Sequence, residues 1–182
     1  MIRFIDFFAS FFGLLLLWPV FFVVTIVGIF DTGSPIFVQV RVGRNKRPFK
    51  LIKFRTMSVE TKSVASHLAT NASITKFGYF LRKTKVDELP QLLNVLKGEM
   101  SLVGPRPNLF NQEDLIKERD AQCVYDVLPG ITGLAQIQNI DMSTPELLAK
   151  VDKEMIESLT LKDYFRYILM TATGSGSGDA VK

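Results

Sequence analysis

Residues 7–30 form an apolar segment, FFASFFGLLLLWPVFFVVTIVGIF, that contains no charged side chain. About 20 apolar residues in a helix are enough to span a bilayer, so this segment is long enough to enter a membrane. It is longer than the apolar core of a secretory signal peptide, and IFDTGSPIF at its end holds no convincing cleavage signal. The sequence therefore predicts a membrane-inserted helix near the start of the chain.

Pro19 lies near the middle of this segment, where it removes one backbone donor and predicts a kink. Kinked helices still span membranes, so two geometries remain: a single span, or a helix–break–helix hairpin that enters the bilayer and returns. Eight Lys or Arg residues and one acid, Glu60, lie between Arg41 and Lys62. By the positive-inside rule, this basic block should keep the following domain on the cytoplasmic side.

The basic block also limits the partners of the chain. Beside an apolar segment, it suits anionic lipid headgroups or the phosphates of a substrate. We expect no nucleic-acid partner, because no binding motif with interleaved stacking aromatics is present. With Cys123 as its one cysteine and His67 as its one histidine, the sequence offers no disulfide framework and no thiol metal site, and it argues against a Ser-His-Asp triad. Carboxylates, lysines and arginines are therefore the candidates for any chemistry.

The rest of the sequence predicts an α+β fold that is mainly helical. Phe37–Val40 and Phe49–Ile52 flank GRNKRP and predict a short β-hairpin. Polar residues 58–75 predict a loop, and LPGITGLAQ at 128–136 predicts a second one. Further helices are predicted over Asp87–Gly98, Asn111–Val127, Pro145–Ser158 and Leu161–Thr171, the last of them an amphipathic helix at a membrane surface.

The stretch KTKVDELPQLLNVLKGEMSLVGPRP, residues 83–107, places two adjacent acids before an arginine that lies between two prolines. Helix capping explains part of this pattern, with Asp87 as N-cap and Gly98 as the stop. The leucines of one helical face are Leu89, Leu92, Leu93 and Leu96. Capping alone requires neither the preceding Arg82 and Lys85 nor the following VGPRP. A second function for the acid pair is therefore expected.

A pyrophosphate fits this setting. Free N–H groups at a helix N-terminus bind anions, and the guanidinium fork of Arg106 matches phosphate oxygens. A carboxylate directed at phosphorus would be a nucleophile that forms an acyl phosphate. Because it must approach another anion, we expect Mg²⁺, or Mn²⁺ in its place, held by Asp87 and Glu88 with the substrate phosphates. One acid would attack while the other holds the metal or accepts a proton.

The ordered motifs resemble the small monotopic phosphoglycosyl transferases of bacteria, also called bacterial sugar transferases. The resemblance runs from the apolar start to about residue 136 and rests on SPIFVQVRVG, FKLIKFRTM, TKFGYFLRKTKVDELPQLLNVLKGEMSLVGPRP and PGITGLAQ. It implies a UDP-sugar and polyprenol (undecaprenyl) phosphate as substrates at the cytoplasmic face of the bacterial inner membrane. The family's Asp attacks the sugar-linked phosphate, UMP leaves, and the phosphosugar passes to the polyprenol phosphate.

Carried onto this chain, the resemblance makes Asp87 the nucleophile, Glu88 its partner and Arg106 the arginine of the family's Pro-Arg-Pro motif. Pro19 matches the proline that breaks the family's re-entrant helix, which implies a hairpin with both ends cytoplasmic. Further contacts to phosphate are expected from Lys53, Arg55, Arg82 and Lys85. The implied parts are a re-entrant membrane hairpin at 1–34, a catalytic domain at 35–172 and a flexible tail at 173–182.

The last third of the chain departs from the family pattern. Ile140 falls where an Arg is common, and Leu134 replaces a common Trp. Asp152 matches a family Asp that is often followed by an aromatic, here replaced by Met155, and with Gln136 it is expected to bind the nucleotide. Because residues 137–160 diverge, the resemblance does not name the sugar, for which an N-acetylated deoxy-amino sugar is one candidate. It leaves a homodimer open as well.

Two other classes of protein explain parts of the sequence. A non-catalytic membrane module that binds anionic lipid accounts for residues 1–62 but gives 83–107 no role. A glycoside hydrolase uses paired carboxylates about 5 Å or more apart across a sugar, but the surrounding basic residues favour phosphate. Release of UMP from a UDP-sugar would distinguish the transferase from both.

Overall fold

The computed structural model describes residues 1–59 and 73–174 of the chain, and these form the mainly helical α+β fold that the sequence predicts. Most of the predicted polar loop, with His67, and the tail from residue 175 lie outside the described residues. The helices are α1 Ile2–Thr32, α2 Lys76–Lys83, α3 Gln91–Lys97, α4 Glu113–Ala121, α5 Leu134–Ile137, α6 Pro145–Ser158 and α7 Leu161–Ala172. The strands are β1 Ile36–Val42, β2 Pro48–Phe54, β3 Ser101–Val103 and β4 Gly130–Thr132.

The apolar segment forms one helix, α1, that runs through Pro19 and ends at Gly33, whose φ of 73° is left-handed. The structure thus has one continuous helix where the sequence predicted two on either side of a break, and the re-entrant course of this segment stays a prediction. Proline removes a single backbone donor and its fixed φ is compatible with a helix, so helical backbone continues past it. Within the described residues, α1 is the helix that is long and apolar enough to cross a membrane.

The start of α1 is bonded to the folded domain. Asp6 is 1% exposed, and its Oδ1 accepts hydrogen bonds from the Leu102 amide at 2.9 Å, the Ser101 hydroxyl at 3.1 Å and the Tyr164 hydroxyl. Burial raises the pKa of the Tyr164 hydroxyl, and its hydrogen bond to Asp6 adds to the rise, so the tyrosine stays protonated as a donor. The first two turns of α1 are thus fixed to β3 and α7.

The end of α1 contacts the same domain. Val24 packs with Phe54 and Leu81 in a buried cluster. Gly28 lies so close to Pro35 that an added Cβ would come within 2.8 Å of the proline Cβ. Between these contacts the helix exposes a broad apolar surface that includes Phe11, Phe12, Leu15, Leu16, Trp18 and Phe22.

The predicted β-hairpin is confirmed. β1 and β2 pair antiparallel from Ile36↔Phe54 to Val42↔Pro48, around a 3₁₀ turn at Arg44–Lys46. Lys53 pairs with Phe37, and paired residues point to the same side of a hairpin, as do residues two apart in one strand. Gln39, Arg41 and Lys53 therefore lie on one side of the hairpin, and all three are buried. This face, which also carries Phe49 and Leu51, forms one wall of the site described below.

β3 and β4 form a second, parallel pair, with Ser101 opposite Gly130 and Val103 opposite Thr132. The prediction of a loop over 128–136 was therefore wrong, because β4 and α5 occupy most of it. The strand is three residues long and too short to show an alternating pattern. Glycine is required here, since a Cβ on Gly130 would lie 2.0 Å from the Gly104 nitrogen.

The predicted helix over Pro145–Ser158 is confirmed by α6, and the one over Leu161–Thr171 by α7. The helix predicted over Asn111–Val127 is shorter than expected: α4 ends at Ala121, and a 3₁₀ turn follows at Val124–Asp126. The left-handed backbone of Cys123, with φ 56°, separates the two and ends the α-helical hydrogen bonding.

Candidate active site

The acid pair lies in a 3₁₀ turn, Val86–Glu88, that follows a left-handed residue, Lys85, with φ 57°. The prediction of Asp87 as the N-cap of α3 was wrong, because α3 begins at Gln91 with Pro90 in the N-cap position. Pro90 has no N–H with which to continue an α-helical ladder into the acid pair. The turn is instead closed by three-residue hydrogen bonds, such as Glu88 N to Lys85 O at 3.2 Å.

Both carboxylates are buried: Asp87 is 2% exposed and Glu88 is 6% exposed. Burying a charge is costly unless it is paired, and Glu88 Oε1 accepts a charge-assisted hydrogen bond from Arg106 Nη2 at 2.9 Å. This geometry does not correspond to helix capping. The acids face a cationic site built from another part of the chain.

Arg106 reaches Glu88 from the loop that follows β3. Pro105 and Pro107 restrict the backbone on both sides of it, and the Pro105 carbonyl accepts the Gly130 amide at 2.9 Å. The predicted motif is thus fixed against β4, with its guanidinium directed at the acid pair.

Arg106 shares a small cleft with other basic residues. Its lining residues are Arg41, Leu51, Lys53, Gln91, Arg106, Pro107 and Gly130. Three of these side chains are cationic, and Arg41 is held by a hydrogen bond from its Nη1 to the Pro107 carbonyl at 3.1 Å. The cleft has a volume of about 10 Å³, room for about one water molecule. Its charge suits phosphate oxygens, but a diphosphate would enter only after the cleft had widened.

Lys85 lies within electrostatic range of this cluster. Burial lowers the pKa of its ammonium and Arg106 lowers it further, whereas Glu88 and Asp87 act in the opposite direction. Lys85, Asp87, Glu88 and Arg106 therefore form one interacting group, and the role of Lys85 and Arg106 in phosphate binding stays a prediction.

Arg55 and Arg82 donate hydrogen bonds to groups that do not line the cleft. Arg55 donates from Nε to the Ser34 carbonyl at 2.8 Å, and its guanidinium lies 5.3 Å from the centre of the Phe37 ring. Arg82 donates from Nε to Thr56 Oγ1 at 2.9 Å. Their roles in phosphate binding stay predictions.

The two predicted nucleotide contacts lie outside the residues that line the cleft. Asp152 is 1% exposed on α6, where its Oδ2 accepts Arg119 Nη2 at 2.6 Å. Gln136 donates from Nε2 to the Ile131 carbonyl at 3.4 Å. A nucleotide would reach Asp152 only after the buried ion pair opened, so this role too stays a prediction.

Asp87 and Glu88, which adjoin the cleft through Arg106, are the candidate ligands for Mg²⁺. Within residues 1–59 and 73–174, no group of three or more His, Cys, Asp or Glu side chains is placed to hold a metal by itself. Mg²⁺ is usually bound by one or two carboxylates with substrate phosphates and water as the other ligands. Asp87 and Glu88 fit that mode, in which the metal binds together with a diphosphate.

Three residues near the site were missing from the predicted set: Arg41, Gln91 and Arg119. Strand alternation could have identified Arg41, which shares a hairpin face with Lys53. Gln91 is four residues after Asp87, a spacing that brings side chains together on a helical turn. Arg119 lies in the charged run EDLIKERD, where no pattern distinguishes it from its neighbours.

These features define a class: a domain with a helix long and apolar enough to enter a membrane, and with a buried acid pair beside a cleft lined by basic side chains. The model of the bacterial sugar transferase family matches residues 1–176, and the chain belongs to this family.

Three curated relatives illustrate the match. The uncharacterized sugar transferase EpsL of Bacillus subtilis (strain 168) is 53% identical over 106 residues, which cover 58% of this chain and 52% of the relative. The galactosyl transferase CpsE of Streptococcus agalactiae serotype III (strain NEM316) is 36% identical over 190 residues, 93% of this chain and 40% of the relative. The UDP-glucose:undecaprenyl-phosphate glucose-1-phosphate transferase of Escherichia coli (strain K12) is 39% identical over 147 residues, 78% of this chain and 32% of the relative. The chain thus spans about half or less of the length of these relatives.

Proposed function

We propose that this protein transfers a sugar 1-phosphate from a UDP-sugar to undecaprenyl phosphate, or another polyprenol phosphate, as the first membrane step of glycoconjugate assembly. The observation that carries the proposal is the buried pair Asp87 and Glu88, with Arg106 bound to Glu88 at 2.9 Å beside a basic cleft. The name of the Escherichia coli relative supports both substrates.

Asp87 is the proposed nucleophile. Its carboxylate oxygen bonds to the sugar-linked phosphorus of the UDP-sugar, the bond from that phosphorus to the bridging oxygen breaks, and UMP leaves with the electron pair. A phosphate oxygen of the polyprenol phosphate then attacks the same phosphorus and releases Asp87, which yields a polyprenol diphosphate sugar. The two steps balance without an oxidant or a net proton on the enzyme.

Arg106 is the proposed clamp for the diphosphate. Arg106 Nη2 donates to Glu88 Oε1, and a diphosphate would offer the guanidinium a bidentate partner that carries more charge than the Glu88 carboxylate. Substrate would therefore compete with Glu88 for Arg106 and release the Glu88 carboxylate to accept a proton or bind a metal. Lys53 and Lys85 would balance the remaining charge.

Mg²⁺, or Mn²⁺ in its place, is the proposed cofactor. Asp87 and Glu88 would hold it together with the phosphates of the substrate. The metal would lessen the repulsion between a carboxylate and a diphosphate.

A re-entrant course is proposed for α1, with the domain on the cytoplasmic side of the inner membrane. A helix of 31 residues is about 46 Å long, and the hydrocarbon core it would cross is about 30 Å thick. Asp6 near its start and Val24 near its end both contact the one domain, so a single span would have to break one of the two sets of contacts. A bend near Pro19 would let the apolar middle enter the bilayer while both ends stay at the surface.

Labelling with a membrane-impermeant thiol reagent tests this course. Cys123 is an exposed native thiol on the domain and serves as the reference. In a Cys123→Ser background, a single cysteine placed ahead of Met1 is expected to behave like Cys123: protected in intact cells and labelled after permeabilisation. Labelling of the added cysteine in intact cells, when Cys123 of the wild-type protein is protected in the same assay, would contradict the re-entrant course.

The lowered pKa of Lys85 predicts an alkaline limit to activity. A lysine with a lowered pKa loses its charge at a lower pH than an exposed lysine, so phosphate binding should weaken as pH rises through that pKa. Lys85→Arg keeps the charge, and we expect its KM for UDP-sugar to stay constant to higher pH. Lys83→Arg is the control, because Lys83 is exposed on α2. Identical pH profiles for wild type and Lys85→Arg would contradict the assignment.

A UMP-release assay tests the proposed function itself. Purified protein in detergent, with undecaprenyl phosphate and Mg²⁺, should release UMP from one member of a panel containing UDP-glucose, UDP-galactose and UDP-linked N-acetylated amino sugars. A folded protein that releases no UMP from any of them would favour the non-catalytic lipid-binding module. Release of free sugar instead would indicate a hydrolase.

A further inference from the structure

Arg119 lies beneath the loop that carries Arg106. It belongs to the last turn of α4, and its side chain is 1% exposed. One edge of its guanidinium faces the loop: Nη1 donates to the Arg106 carbonyl at 2.7 Å and to Asn108 Oδ1 at 3.0 Å. The other edge faces α6, where Nε and Nη2 donate to Asp152 Oδ2 at 3.0 and 2.6 Å.

The ion pair with Asp152 makes this burial possible. An unpaired guanidinium inside a protein would carry a large desolvation cost, and the carboxylate offsets it. Burial raises the pKa of the Asp152 carboxyl, and the Arg119 charge opposes that rise. Asp152 also fixes the plane of the guanidinium, because Arg119 Nε and Nη2 both donate to Asp152 Oδ2.

Other hydrogen bonds hold the same loop. The Tyr125 hydroxyl donates to Asn108 Oδ1 at 3.0 Å, and the Val42 amide donates to the Asn108 carbonyl at 2.9 Å. Arg41 Nη1 donates to the Pro107 carbonyl. These bonds fix the backbone after Arg106. The carbonyl of Arg106 itself accepts its hydrogen bond from Arg119.

We propose that Arg119, oriented by Asp152, is a positioning residue: it fixes the backbone at Arg106 and so directs the Arg106 guanidinium into the cleft. This inference rests on the proposed function, in which Arg106 clamps the diphosphate. It gives Asp152 a role that requires no contact with the nucleotide. Displacement of a catalytic clamp by about 1 Å can cost on the order of 10²-fold in rate.

The test uses a double variant, Arg119→Met with Asp152→Leu, in the full-length protein. Replacing a buried ion pair by apolar side chains is often neutral for stability, so we expect a melting temperature close to that of wild type. UMP release should nevertheless fall roughly 10²-fold, because the Arg106 carbonyl has lost its donor. Lys117→Met, at an exposed position on the same helix, is the control and should match wild type.

Combination with Arg106→Lys separates positioning from a general structural effect. If Arg119 acts through Arg106, the triple variant should be hardly slower than Arg106→Lys alone. Two results would overturn the proposal: a triple variant whose loss of rate is the product of the losses in the double variant and in Arg106→Lys, or a double variant with wild-type activity. Should the double variant unfold, Arg119→Lys serves in its place, because a lysine keeps the charge for Asp152 but cannot bond both sides at once.

Amide hydrogen exchange gives a readout that needs no turnover. Peptides covering residues 104–110 should exchange faster in Arg119→Lys than in wild type, while peptides from the β1–β2 hairpin keep their rates. Unchanged exchange in 104–110 would contradict the positioning role even if the protein proved to have another activity. If the wild type released no UMP but residues 104–110 exchanged faster in Arg119→Lys, the proposed function would be refuted and the positioning of the Arg106 backbone by Arg119 would stand.

Discussion

Asp87→Asn is expected to abolish transfer, with turnover lowered by roughly 10⁴-fold or more, the scale seen when a nucleophile is removed. The amide keeps the size of the side chain but cannot form the bond to phosphorus. The loss should appear in both half-reactions, measured as UMP release from UDP-sugar and as exchange of phosphosugar from the polyprenol product. Thermal unfolding should show that the variant is folded, since its side chain occupies the same buried site.

Glu88→Gln is the matched comparison, because it makes the same chemical change one residue away. Glu88 is proposed to accept a proton or bind a metal, so some formation of the intermediate should survive, although complete turnover is slow. The variant also loses the charge that pairs with Arg106 at 2.9 Å. Wild-type turnover by Asp87→Asn would leave that acid a purely structural role. A greater loss in Glu88→Gln, with Asp87→Asn active, would exchange the two roles.

Removal of divalent cations is expected to have an effect of similar size. With excess EDTA, UMP release should fall to background, because two carboxylates of the protein would then face the diphosphate without a cation between them. Added Mg²⁺ should restore activity, and Mn²⁺ should do so at least in part.

The melting temperature without substrate provides the control for chelation. It should stay unchanged in EDTA, because the described residues hold no group of three or more metal-binding side chains. Full turnover in EDTA would contradict the metal-assisted account. Loss of folding in EDTA would instead indicate a structural metal.

Much of this site could be predicted because its chemistry is local in sequence. Asp87 and Glu88 are adjacent, and Arg106 lies 18 residues later between two prolines, so the motif is visible in one stretch. The hairpin was predictable for the same reason, since its two strands are joined by a short polar turn.

Other features depend on contacts between distant segments, which no local pattern encodes. β3 and β4 are three residues each and pair across 29 positions of sequence, so neither shows a strand period. Arg119 and Asp152 are 33 residues apart and become a pair only when α4 packs on α6. Capping rules predict Asp87 at a helix N-terminus, but they give no information on the backbone conformation of Lys85. Its left-handed φ places the acid pair in a 3₁₀ turn instead.

The most direct test of the account is the intact mass of the protein after incubation with UDP-sugar and Mg²⁺, without any polyprenol phosphate. Wild type should gain the mass of one phosphosugar, release about one UMP per enzyme as a burst, and carry the adduct on Asp87 in peptide mapping. Asp87→Asn should show no adduct. A covalent aspartyl intermediate would be contradicted if wild type showed no adduct in the absence of polyprenol phosphate and yet released UMP steadily once undecaprenyl phosphate was added.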